Sequence, residues 1–180
     1  MVNWRRLQNG SDIRGVALEG VRDEKVNLSS EVAMKLGQAF ASWLEKNGKG
    51  LKKVAVGTDS RISGRKLKKA FIEGLSGSGF DVLDCGLAST PAMFMTTIHE
   101  NLEVEGGVML TASHLPFNRN GMKFFTEKGG FEKSNISDLL HIAATDKFLV
   151  SETLGKVQEF DFISEYAYFL VETIRLGVDD

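Results

Sequence analysis

Residues 106–125 read GGVMLTASHLPFNRNGMKFF. An apolar run from Gly106 to Leu110 gives way to turn-prone residues at 111–121, and a second run, Met122 to Phe125, follows. Short apolar runs bounded by Asn, Pro and Gly read as strands rather than helices. The spacing predicts a strand at 106–111, a loop, and a strand at 121–126. The loop begins with Ser113 beside His114. Either this is an ordinary turn, or a hydroxyl is presented for chemistry.

Outward from this stretch, strands and helices alternate. Residues 30–46 place Val32, Leu36, Phe40 and Trp43/Leu44 at helical spacing, with Ser29 or Ser30 as N-cap and Gly48 as stop. A strand at 52–57, a helix near 64–77, a strand at 80–84 and a helix from Pro91 to His99 precede the opening stretch. A helix at 133–143 follows it. The N-terminal DIRGVALEG reads as an extended strand or hairpin joining the same sheet. Alternation of this kind predicts an α/β protein, a three-layer α/β/α sandwich with a mixed, mostly parallel sheet. The 151–158 stretch is polar. Beyond it, DFISEYAYFLVETIRL forms one helix with Phe162, Tyr166, Phe169/Leu170 and Ile174 on one face, an apolar stripe that calls for a larger packing partner.

Composition narrows the function. The 180 residues carry 22 Lys and Arg against 24 Asp and Glu, a net charge of -2, which speaks against nucleic-acid and membrane-surface partners. No apolar run approaches the roughly 20 residues of a membrane span. Cys85 is the only cysteine, so no intramolecular disulfide is possible, and its apolar surroundings read as core. A reducing compartment fits, cytoplasmic or plastid.

Several apparent motifs carry nothing. GLSGSGF (Gly74–Phe80) follows a helix and precedes a strand, the reverse of a dinucleotide loop. The basic run Arg65–Ala70 reads as the solvated face of its helix. His99, His114 and His141 are scattered, with no metal-ligand spacing. Ser113 and His114 lack a nucleophile elbow, and neighbours on a strand point apart, so they are no hydrolase pair.

Three segments agree with one another: GSDIRG (Gly10–Gly15), VGTDSRISG (Val56–Gly64) and the serine loop. In an open α/β sheet, ligands gather beyond the carboxyl ends of the strands. Asp59/Arg61 and Ser113/His114 follow two such ends, with Lys123 just past Gly121. Arginine and lysine are natural phosphate partners, so the combination points to an anionic ligand or phosphoryl transfer.

TASHLPFNRNGMK resembles the active-site serine loop TASHNPxxxNGxK of the α-D-phosphohexomutases, the phosphoglucomutase/phosphomannomutase family. GSDIRG is similar to that family's N-terminal signature, GTDSRISG to its GxDxRxSG segment, and STPAMFM (Ser89–Met95) to a helix start. The likeness runs from about residue 10 to residue 160. It implies that Ser113 carries a phosphoryl group, that His114 hydrogen-bonds there, and that Arg14 and Lys123 stabilise transferring charge or move protons. Asp59, Arg61 and Asn120 would bind phosphate or substrate. It further implies an isomerase that moves phosphate between C1 and C6 of a hexose phosphate through a hexose 1,6-bisphosphate, with Mg2+ bound to Ser113 only through its phosphate.

Two departures qualify the likeness. Leu115 stands where the family has asparagine. The magnesium loop of DxDxDR type, the sugar-recognition loop and the C-terminal phosphate loop have no counterpart, and the sequence contains no DxD. The resemblance therefore implies domain 1, the phosphoserine domain, at 1–158. A linker helix at 159–180 would lead into a second domain, with the remaining domains of the parent chain as partners. The alternative is a stand-alone, non-catalytic phosphosugar-binding module.

Overall fold

The computed structural model describes residues 2–178. A 3-10 turn at Trp4–Leu7 leads to β1 (Gln8–Asn9) and β2 (Asp12–Val16). Then come α1 (Ser30–Asn47), β3 (Lys53–Thr58), α2 (Gly64–Gly77), β4 (Asp81–Leu87) and α3 (Thr90–Met95). β5 (Gly106–Leu110), β6 (Arg119–Thr126) and the two-residue β7 (Gly129–Gly130) run back and forth beside one another. α4 (Lys133–Thr145), β8 (Val157–Glu159) and α5 (Phe162–Val178) complete the described chain.

One sheet holds every strand, in the order β1-β2-β6-β5-β3-β4-β8, with β7 beside β6. α1, α2 and α4 bury one face, while α3 and the start of α5 pack on the other, giving the three layers expected. The sheet is mixed. Parallel pairing is confined to the half built from β5, β3, β4 and β8, and the half running through β6, β2 and β1 is antiparallel. Parallel neighbours need a crossover, usually helical. β6 instead returns from β5 through the serine loop, so parallel pairing does not prevail over the whole sheet.

Local chemistry sets the helix ends. Ser29, not Ser30, caps α1, its Oγ accepting from the Val32 N–H at 3.3 Å. Ser89 caps α3 in the same way, with Pro91 in the first turn. α3 stops at Met95 rather than His99. Beyond it the Thr96 and Thr97 hydroxyls turn back onto the carbonyls of Met93 and Phe94, each at 2.7 Å, in the manner of residues that compete with a helix ladder. β8 begins at the end of the polar 151–158 stretch, where no strand was expected. As an exposed edge strand it has no buried face to leave an apolar alternation in the sequence.

The larger core is built around Phe40, whose ring lies 4.9 Å from Phe124 and 5.7 Å from Phe131. α1 and α2 approach closely because two glycines face each other's backbones. A Cβ on Gly37 would lie 2.2 Å from the Phe71 carbonyl oxygen, and one on Gly74 would lie 2.2 Å from that of Met34. Cys85 is buried in the smaller core, and burial followed by the Asp84 charge pushes its thiol up to about 12, so it behaves as a small hydrophobe. Arg65, Lys66 and Lys69 form the solvated face of α2, whereas Lys68 pairs with Asp84. On α5, Phe162 is buried and Tyr166 partly so, but Phe169, Leu170 and Ile174 are exposed. Among the described residues no helix is long and apolar enough to cross a membrane.

Helix propensity alone would make either glycine-to-alanine change in this helix pair stabilising, by up to ~1 kcal/mol. Gly77, with open space around it, should follow that rule. Gly37→Ala should instead destabilise by about 1–3 kcal/mol, since the methyl must displace a main-chain carbonyl. Urea unfolding of the two variants checks the opposite signs.

Candidate active site

The site lies where the two halves of the sheet meet. β3 and β5 end side by side at Thr58 and Leu110. From Leu110 the chain leaves the sheet and returns as β6, with Leu110 paired to Met122. At the root of this loop the Thr111 N–H donates to the Gly121 carbonyl at 3.0 Å. The Leu115 N–H donates to the Ala112 carbonyl at 3.0 Å, closing a tight turn over Ser113 and His114. Ser113 takes φ +54°, the left-handed region, which is uphill for a residue with a Cβ. Its N–H is held by the Thr111 hydroxyl at 2.9 Å. Because Ser113 is not extended, the expectation that its side chain and that of His114 point apart fails: Ser113 Oγ lies 3.4 Å from His114 Nδ1, and both residues are exposed.

Arg61 holds this loop from beneath. Its Nη2 donates to the carbonyls of Ser113 and Leu115, each at 2.7 Å, and its Nη1 to those of Pro116 at 2.9 Å and Arg119 at 3.0 Å. Asp59 braces it. One Asp59 carboxylate oxygen accepts from the Arg61 N–H at 3.1 Å, and the other lies 3.4 Å from Nε. Asp59 and Arg61, expected to bind phosphate or substrate, are both engaged with the chain itself. The four terminal N–H bonds of Arg61 already meet main-chain carbonyls, and Asp59 faces Arg61.

Asn120, expected to bind phosphate or substrate, is likewise hydrogen-bonded within the chain. It is fully buried on β6, its Nδ2 donating to Ser63 Oγ at 2.9 Å and its Oδ1 accepting from the Gly121 N–H at 2.8 Å. It ties β6 to the start of α2.

Arg14 and Lys123 come together through Asp12, the aspartate of GSDIRG, to which the sequence reading gave no role. Ile13 faces Met122 and Arg14 faces Gly121, so the next cross-strand neighbours are Asp12 and Lys123. Ile13 and Met122 point into the Phe40 core, which sends Asp12, Arg14 and Lys123 to the opposite face. One carboxylate oxygen, Asp12 Oδ2, accepts from Lys123 Nζ at 2.7 Å and from Arg14 Nη2 at 3.0 Å. Two cations around one anion leave a net positive charge. Gly121 lets β2, Arg14 and the root of the loop crowd together: a Cβ there would lie 2.3 Å from the Ile13 carbonyl oxygen and 3.0 Å from both Arg14 Cγ and the Thr111 carbonyl oxygen. The Asp–x–Arg spacing of Asp12 and Arg14 on one strand face was the available signal for Asp12.

A second missed residue is Glu24, in the long connection between β2 and α1. It accepts from Asn118 Nδ2 at 2.6 Å and pairs with Arg119, tethering the far end of the serine loop. No local pattern links positions 94 and 95 residues apart. Among the described residues no three His, Cys, Asp or Glu side chains come together as metal ligands, and the carboxylate of Asp12 is taken up by Arg14 and Lys123. These residues do not fit a magnesium shell on their own.

The hydrogen bonds from Asn118 and Arg119 hold the Glu24 carboxyl below the usual glutamate range. A depressed native pKa gives stability that is complete above the unfolded value and disappears as pH falls through the folded one. Glu24→Gln should therefore lower the Tm at neutral pH. The gap from the parent should close as the pH drops below the ordinary value of about 4.3. A gap that held constant through the acid range would contradict the tether.

Residues 5–148 match the family model described as phosphoglucomutase/phosphomannomutase, alpha/beta/alpha domain I. A phosphoglucomutase/phosphomannomutase of Thermococcus kodakarensis is 35% identical over 170 residues, which make up 93% of this chain and 34% of that protein. A phosphoglucosamine mutase of Acetivibrio thermocellus is 34% identical over 176 residues, 94% of this chain and 37% of the relative. In structure, a phosphoglucomutase/phosphomannomutase family protein from Burkholderia thailandensis superposes with a TM-score of 0.77 at 26% identity, covering 92% of this chain and 35% of that one. The chain thus spans about a third of the length of the relatives it matches. With its serine loop, its paired strand cations and most of its length matched to domain I, the chain belongs to the phosphoglucomutase/phosphomannomutase family.

Proposed function

We propose that Ser113 accepts and donates the phosphoryl group of a phosphohexomutase. The observation that carries this reading is the exposed Ser113 Oγ, 3.4 Å from His114 Nδ1 on a strained turn, in a loop whose root bonds Thr111 to Gly121, the residue opposite Arg14 and two before Lys123. Phosphoryl transfer needs a nucleophile held in line and positive charge near the equatorial oxygens more than it needs elaborate covalent chemistry. Family membership supports the same reaction class.

In the proposed cycle, phosphoserine 113 passes its phosphoryl group to a free hydroxyl of a hexose monophosphate. The Oγ–P bond breaks as the sugar O–P bond forms, the hydroxyl proton leaves to a nearby base, and a hexose 1,6-bisphosphate results. After the intermediate turns over, Ser113 Oγ attacks the other phosphorus and recovers the group, so phosphate has moved between C1 and C6. His114 hydrogen-bonds at the serine. Arg14 and Lys123 balance the charge on the transferring oxygens, and Asp12 keeps both in place between turnovers. The carboxylates for Mg2+ and the contacts that choose the sugar would come from further domains. Residues 1–158 would form the phosphoserine domain, and the helix within 159–180 would lead into the next, its exposed Phe169 and Ile174 covered there. Without those domains' binding energy to position the sugar, mutase turnover by this chain should be slight.

Incubation with a hexose 1,6-bisphosphate, followed by mapping of phosphorylated peptides, tests the assignment. Phosphate should appear on Ser113 and vanish in Ser113→Ala. Phosphate on another residue would refute it, and bisphosphate binding with no phosphorylation would favour the non-catalytic module.

A further inference from the structure

We infer that Arg61 is a positioning residue for the phosphoryl-accepting serine and not a ligand for phosphate. The inference rests on the reading of Ser113 just given. The guanidinium gathers four carbonyls, those of Ser113, Leu115, Pro116 and Arg119, which come from both sides of the turn and from the start of β6. Its side chain is only 12% exposed. Both terminal nitrogens are engaged, and Nε is buried 3.4 Å from the Asp59 carboxylate without a hydrogen bond, so no exposed N–H remains to meet an incoming phosphate.

The arrangement answers a need of the loop itself. Carbonyls turned inward away from water require donors. Only a planar fork with five N–H groups can serve four of them at fixed angles; a lysine ammonium offers three donors on one point. While Arg61 holds the Ser113 and Leu115 carbonyls inward, the turn between them keeps Ser113 at φ +54° with Oγ beside His114. Released, those carbonyls would rotate to water and Ser113 would relax to an ordinary backbone conformation. The nucleophile would then lose its aim while Arg14 and Lys123 stayed on Asp12. The GTDSRISG segment is therefore a scaffold for the nucleophile's main chain.

Arg61→Lys separates this role from ligand binding. In the variant, hydrogen exchange at the Leu115 and Arg119 amides, which bond to Ala112 and Pro116, should quicken about tenfold or more. Exchange at Val56 and Val108 in the sheet should not change, which shows that the fold persists. In phosphorylation by glucose 1,6-bisphosphate, the maximal rate should fall at least about tenfold with the half-saturating concentration unmoved. A second variant, Arg61→Ala, should regain loop protection on addition of methylguanidinium. Unchanged exchange at Leu115 and Arg119 in both variants would overturn the inference, as would a raised half-saturation with the loop still protected. If the parent protein is labelled elsewhere than Ser113, the functional reading fails, while the exchange data still decide the clamp.

Discussion

Main-chain carbonyls that leave a sheet must find donors, and in this protein one guanidinium supplies them. β5 and β6 pair up to Leu110 and Met122, but most of the loop between them leaves the ladder, and the polar groups there need other partners. Arg61, braced by Asp59, replaces the missing partners at four points. Glu24 secures the far end of the same loop through Asn118 and Arg119. Asn120 fixes its return strand to α2 through Ser63. A segment placed this firmly can hold one residue, Ser113, in a strained conformation that a free loop would abandon.

Charge is arranged on the same economical plan. Asp12 shares one carboxylate oxygen between Arg14 and Lys123, so two cations stand close together without mutual repulsion forcing them apart. Strand alternation puts all three on the face opposite the Phe40 core, and the lack of a side chain on Gly121 lets Arg14 lie against the root of the serine loop. A phosphoryl group arriving there would meet cations already in position, the kind of preorganisation that lowers the barrier to phosphoryl transfer. The family's long relatives are about three times the length of this chain, in keeping with a site completed by other domains.

Much of this was legible in the sequence, and the failures share a cause. The main helices follow from apolar spacing and caps; α2 at Gly64–Gly77 coincides with its reading. The three motifs do converge at one end of the sheet. What escaped were relations between distant residues. The resemblance implied that Asp59, Arg61 and Asn120 bind phosphate or substrate; nothing in the sequence signalled that each is hydrogen-bonded to its own chain. Asp12 was given no role and Glu24 went unremarked because their partners, Lys123 and Arg119, are distant in sequence and adjacent only after folding. β8 left no trace because an exposed edge strand has no apolar alternation, and the antiparallel half was undercounted because a loop without a helix gives little sign of its direction.

The most direct test is a crystal structure of the chain bearing phosphate on Ser113. The account predicts that Arg61 remains on the carbonyls of Ser113, Leu115, Pro116 and Arg119 while Arg14 or Lys123 turns from Asp12 to the phosphate oxygens. A structure in which the Arg61 guanidinium has left those carbonyls to grip the phosphate would contradict it.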